Sequence, residues 1–182
     1  MKWLRLQLAD SGVSLLQRRK RPALHPSPGR PLSSAWRILV FQQQKSARKI
    51  ALQALFQADV QGPDFLAEIL PQFIAGAAED IDVRELATSM VLGAWGYHET
   101  ADQWITQFSP RWSISRMPTV DRNILRLAAW ELTNRADVPP KVVLEEAINL
   151  AREFSTDESA AFINGVLDAA LKDYLLRTGK TL

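Results

Sequence analysis

The sequence predicts an all-α protein, on three observations. From residue 45 onward, apolar side chains recur three and four positions apart, the period of a helix face. No segment alternates apolar and polar residues between hairpin turns, as a half-buried strand would. Proline and glycine gather at the ends of the periodic segments, at Gly62-Pro63, Pro110, Pro118 and Pro139-Pro140. The expected architecture is a bundle of about seven helices in two packed helical subdomains, roughly 45–108 and 119–176. Each half is too small to keep a core without the other.

The first of these helices opens near Lys45, carries Ala47, Ile50, Ala51, Ala54, Leu55 and Ala58 on its apolar face, and ends at Gly62-Pro63. A second covers about 64–75 through Phe65, Ile69, Leu70 and Phe73. Pro71 divides it or starts a new turn, because proline lacks the N–H that a helix interior uses. Asp80 and Asp82 suit the positive end of a long third helix. Its buried stripe runs through Leu86, Met90 and Ala94 to Ala101, Trp104, Ile105 and Phe108. Gly93 and Gly96 inside it mark close packing or a bend. The connector from Pro110 to Pro118 holds Arg111, Trp112 and Arg116. Thr119 is the expected N-cap of the next helix, with Ile124, Leu127, Ala128, Glu131 and Leu132 along it. After Pro139-Pro140, Val143, Ala147, Leu150, Ala151 and Phe154 share a face. Thr156 or Asp157 caps the last helix, whose stripe is Ile163, Val166, Leu167, Ala170, Leu171 and Tyr174.

Composition narrows the function. The 182 residues include no Cys, which removes disulfide scaffolds, thiolate metal sites and cysteine catalysis. The two His, His25 and His98, are too far apart in sequence to suggest a metal cluster. No apolar run reaches the roughly 20 residues of a membrane-spanning helix. There is no Gly-rich phosphate loop and no compact acidic motif. No metal, cofactor or enzymatic activity is expected.

Charge is divided unevenly. Residues 1–44 carry eight basic side chains and one acid, net +7, whereas residues 45–182 carry 14 basic and 19 acidic, net −5. The chain therefore reads as a basic, Pro-containing N-terminal extension, 1–44, and a helical domain, 45–178. With four Pro between Pro22 and Pro31, 22–34 is expected to be extended or disordered, between short apolar runs at Trp3 to Leu8 and Trp36 to Phe41. The extension fits a nucleic-acid-binding tail through Arg18 to Arg21, a targeting segment, or a dispensable extension from a start codon set too far upstream. In the body, Asp121 with Arg126 and Glu131 with Arg135 are expected as surface pairs. Lys45, Arg48 and Lys49 crowd a helix N-terminus, where cations oppose the dipole and a nearby phosphate would compensate. That end is the best local candidate for RNA contact.

Four segments in tandem carry a more specific signal: 47–57 (ARKIALQALFQ), 117–132 (MPTVDRNILRLAAWEL), 138–151 (VPPKVVLEEAINLA) and 159–168 (SAAFINGVLD). In order and separation they resemble the NusB transcription antitermination factor family across about 45–176. The resemblance implies a NusB-like helical fold and a non-catalytic, cytoplasmic protein. It implies binding of boxA-like single-stranded RNA together with ribosomal protein S10. It further implies assembly, with other Nus factors, on an RNA polymerase that resists termination in ribosomal RNA operons.

Residue by residue, the resemblance assigns RNA binding to Lys45, Arg48, Lys49, Phe56 and Glu158. Phe56 stands where the family usually has Tyr, and Gln44 and Ser46 stand where it often has arginine. The resemblance places Asp121 and Arg122 toward S10. Arg126, Phe162, Asn164 and Gly165 carry motif identity with structural roles, Phe162 in the core and Gly165 permitting close helix contact. The alternative reading is a helical protein-interaction module with little sequence-specific RNA binding, motivated by the thinned arginine cluster and the acidic body.

Overall fold

A computed structural model describes residues 34–178. The expectations for Arg18 to Arg21, for Trp3 to Leu8 and for the proline-rich stretch up to residue 33 lie outside the described residues. The chain divides into two compact units, Met1–Arg37 and Ile38–Leu182, and the second carries the core. Seven α-helices follow one another among the described residues: α1 Ser34–Gln61, α2 Leu70–Ala77, α3 Ile81–Gly96, α4 His98–Phe108, α5 Thr119–Asn134, α6 Pro140–Phe154 and α7 Asp157–Thr178. No strand occurs among these residues.

Helix α1 begins at Ser34, eleven residues before Lys45, so Lys45, Arg48 and Lys49 lie inside the helix and not at its N-terminus as expected. Its interior holds no proline or glycine, and nothing before Gly62 stops it. Gly62 adopts φ +95°, the left-handed conformation that glycine reaches without a Cβ penalty, and its N–H closes the helix on Ala58 O at 2.9 Å.

The second helical segment resolves the difficulty of Pro71. Phe65–Ile69 forms one wide turn of π-helix, in which Leu70 N–H donates to Phe65 O. Helix α2 then begins at Leu70, so Pro71 falls in a first turn, where a missing N–H costs nothing.

The long helix expected from Asp80 to Phe108 is instead two. Tyr97, at φ −100° and ψ −2°, breaks it between α3 and α4 directly after Gly96. Asp80 stands at the start of α3 as expected and also caps it, its Oδ1 accepting from Asp82 N–H at 2.9 Å. Thr119 does not act as a cap: it is the first residue of α5, behind Pro118. Thr156 does cap α7, its hydroxyl accepting from Ser159 N–H at 3.1 Å.

A single apolar core runs through every helix of the bundle, from Ala47 to Leu167. Helix α5 lies at its centre, packing on α3, α4, α6 and α7, and is buried from Asn123 through Glu131 without a break. Gly93 lets α3 approach it, because a Cβ there would fall on the ring of Trp130. Gly96 has open space around it, so its contribution is to the break rather than to packing.

Candidate functional site

The site is built around the way α1 sits on α5. A helix advances 100° per residue, so Arg48 and Asp59, eleven apart, fall within about 20° of one another on one face. That face turns inward. Arg48 is 2% exposed and Glu131, on α5, 1%. Arg48 Nε donates to Glu131 Oε1 at 2.8 Å and Nη2 donates to Oε2 at 2.8 Å, the two-pronged geometry in which guanidinium and carboxylate bind best. The remaining nitrogen, Nη1, is buried without a hydrogen-bond partner.

At the other end, Asp59 Oδ2 accepts from Arg122 Nε and Asn123 Nδ2, both at 2.8 Å, and lies 3.1 Å from Arg126 Nη1. Arg126 in turn grips Asp102 of α4 through two 2.7 Å bonds. Burial alone would raise the Asp59 carboxyl. The donated bonds from Arg122 and Asn123 and the charges of Arg126 and Arg122 outweigh it and hold the group below the usual carboxylate range.

These clamps overturn several expectations. Arg48, assigned to RNA by the resemblance, is an interior group with its guanidinium on Glu131. Glu131 pairs with Arg48, not with Arg135, whose partner is Asp137 at 2.7 Å. Asp121, placed toward S10 by the resemblance, is not at the surface and does not pair with Arg126. It is 3% exposed, and its two carboxylate oxygens accept from Ser155 and Ser159 hydroxyls at 2.7 Å each, tying α5 to the α6–α7 junction. The common cause is burial: a charge removed from water is kept only where paired or hydrogen-bonded, so these residues are spent inside. Arg122 is largely buried as well, bonded to Asp59 and to Ile114 O.

Lys45, Lys49 and Phe56 form a different stripe. On an ideal helix they fall within about 40° of each other, on the face next to Arg48 and Asp59, the two centres about 70° apart. All three are half-buried. Lys49 Nζ meets Glu153 Oε1 of α6 at 2.6 Å, in a solvent-exposed pair that contributes little to stability. Glu158 is exposed in the first turn of α7. Its own backbone N–H and the Thr156 hydroxyl hold its carboxyl below the usual range.

Further along α7, Phe162 is half-buried rather than core. Its ring lies 6.0 Å from that of Trp112, which is 53% exposed. With Phe108, Pro110, Arg111 and Gly165 they line an open groove of about 330 Å³. Gly165 permits no close helix contact: a Cβ there would meet nothing within 4 Å, and Asn164 beside it is exposed. Trp112 and Arg111 stood in the connector, but their meeting with Phe162 joins segments fifty residues apart and had no local signature. Among the described residues, no group of three or more His, Asp or Glu is placed to hold a metal, and no helix is long and apolar enough to cross a membrane.

Known proteins resemble this chain over most of the helical domain. The NusB family model matches residues 45–172. The transcription antitermination protein NusB of Acidothermus cellulolyticus is 50% identical over 123 residues, which cover 68% of this chain and 83% of that protein. Among solved structures, NusB of T. maritima superposes with a TM-score of 0.62 at 32% identity, covering 71% of this chain and 90% of that one. The antitermination factors NusB and NusE, crystallised in complex with double-stranded RNA, provide a chain that matches with a TM-score of 0.64 at 28% identity. That match covers 73% of this chain and 98% of that one.

Proposed function

Because the chain belongs to the NusB family of transcription antitermination proteins, we propose that it binds boxA-like single-stranded RNA jointly with ribosomal protein S10. The pair would join other Nus factors on RNA polymerase to support ribosomal RNA transcription, which makes the cytoplasm its place of work. The observation that carries this reading is the half-buried stripe of Lys45, Lys49 and Phe56 on α1, two cations and a ring on one helix face. Cations supply the sequence-independent attraction to phosphate, and an aromatic ring gives an unstacked base a surface. The Trp112–Phe162 groove offers a second such surface, with Arg111 on its rim. The work is binding, with no bond made or broken.

The same geometry limits how strongly the chain binds alone. Arg48 is withdrawn into the interior, Lys49 is shared with Glu153, and the body carries net charge −5. Weak RNA binding by the isolated protein and tighter binding with S10 follow from this. Titrating boxA-like and scrambled RNA, with and without S10, tests the reading. The expected result is a partner-dependent preference for the boxA-like sequence. Partner capture with no sequence preference would favour the second reading, a protein-interaction module, which the withdrawal of Arg48 motivates.

A further inference from the structure

Arg48 lies in the basic start of the first matched segment, yet all three of its guanidinium nitrogens are enclosed. Two are held by Glu131, and Nη1, the nitrogen without a protein partner, is itself out of reach of solvent, so no phosphate arrives there. Lys45 and Lys49, three residues before and one after, sit on the neighbouring face. The Arg48–Glu131 fork fixes the rotation of α1 on α5 at this point, and the Asp59 clamp fixes it again eleven residues on. Rotation of α1 by one residue's angle, about 100°, would carry the Lys45–Lys49–Phe56 stripe off its present face altogether.

We propose that Arg48 serves RNA binding as a positioning residue: its buried pairing with Glu131 sets the direction in which Lys45, Lys49 and Phe56 point, and it touches no RNA itself. This rests on the RNA-binding reading above. It differs from a direct contact in one respect that can be measured, namely that removing the partner should rescue the loss of the arginine. Taking away one member of a buried ion pair strands the other, whereas replacing both by apolar groups of similar volume is often neutral.

The experiment compares Arg48→Met, the double variant Arg48→Met/Glu131→Met, and Lys45→Ala/Lys49→Ala, reading melting temperature, affinity for boxA-like RNA with S10, and the dependence of affinity on salt. Arg48→Met is expected to lower Tm by about 10 °C or more and to weaken RNA binding. The double variant is expected to recover both, with the wild-type salt slope. The lysine variant should keep the wild-type Tm and flatten the slope by about 0.7 for each phosphate no longer neutralised. A double variant that regains Tm but stays weak, with a slope flatter by about 0.7, would show Arg48 on a phosphate and overturn the proposal.

Should the double variant fail to fold, the wild-type complex decides. The Arg48 Nε–H resonance keeps its shift and slow exchange when RNA is added if the fork is intact, and loses them if RNA engages the guanidinium. Absence of RNA binding by the wild-type protein with S10 is a separate result, which removes the functional reading itself.

Discussion

The side chains that matter most in this protein are charged ones in places where charge is expensive. Glu131 is enclosed with Arg48, and its carboxylate has no water to fall back on. Glu131→Gln would leave the guanidinium inside without its counter-charge, at a cost of about 3 kcal/mol, read as a fall in the denaturant midpoint at unchanged slope. Asp59 makes a prediction about pH. Its folded carboxyl lies below the unfolded value of about 3.9, so its stabilising contribution is complete above that value. The contribution is lost as pH falls through the lowered folded value. Asp59→Asn should therefore be less stable than wild type at neutral pH and lose less stability as pH falls below about 4. Parallel acid-unfolding curves for the two proteins would contradict the assignment.

Between helices, the two glycines of α3 are opposites despite their three-residue spacing. Gly93 touches the Trp130 ring, and Gly96 touches nothing. Gly93→Ala should cost about 1–3 kcal/mol through overpacking, in spite of alanine's better helix propensity. Gly96→Ala, in open space at the end of α3, should be neutral or stabilising by up to about 1 kcal/mol. Thermal melts of the pair distinguish them, and equal effects would mean that α3 and α5 do not meet at Gly93. The groove on α7 has a similar logic. Trp112→Ala removes an exposed ring, so it should leave stability within about 0.5 kcal/mol while weakening RNA binding by about 1–3 kcal/mol if a base stacks there. Unchanged affinity would confine the RNA to the α1 stripe.

Across the whole bundle, one core is shared by all seven helices, and α5 threads its middle with ionic ties to α1 and α4 and hydroxyl ties to the α6–α7 junction. No half can let go without exposing α5. Unfolding should be a single transition, with helix content and tryptophan fluorescence falling together. Two separated transitions would show that 45–108 and 119–176 keep independent cores. Electrostatics at this scale also bears on the proposed function, because an acidic body would repel RNA at long range and, on that proposal, leave recognition to a small cationic stripe and the protein partner.

Helix identity was legible from local pattern because burying an apolar face on one period is a property of consecutive residues. Ala47 to Ala58, Ile124 to Leu132 and Ile163 to Tyr174 announce their helices unaided, and the four tandem segments announce the family. Part of the site could have been read the same way: Arg48 and Asp59 share a face with buried Leu52 and Leu55, and Glu131 continues the stripe of Ile124, Leu127 and Ala128, so charges on an apolar face were a signal of burial. Their partners were not readable. Whether Glu131 takes Arg135 four residues on or Arg48 eighty-three residues back depends on which side chain shares its dry environment. Coulomb attraction and desolvation act through space and not along the chain. The same holds for Trp112 beside Phe162 and for Asp121 between two serines. Local sequence determines which faces are buried, and only packing decides which charges meet there and hence which cations remain outside for a ligand.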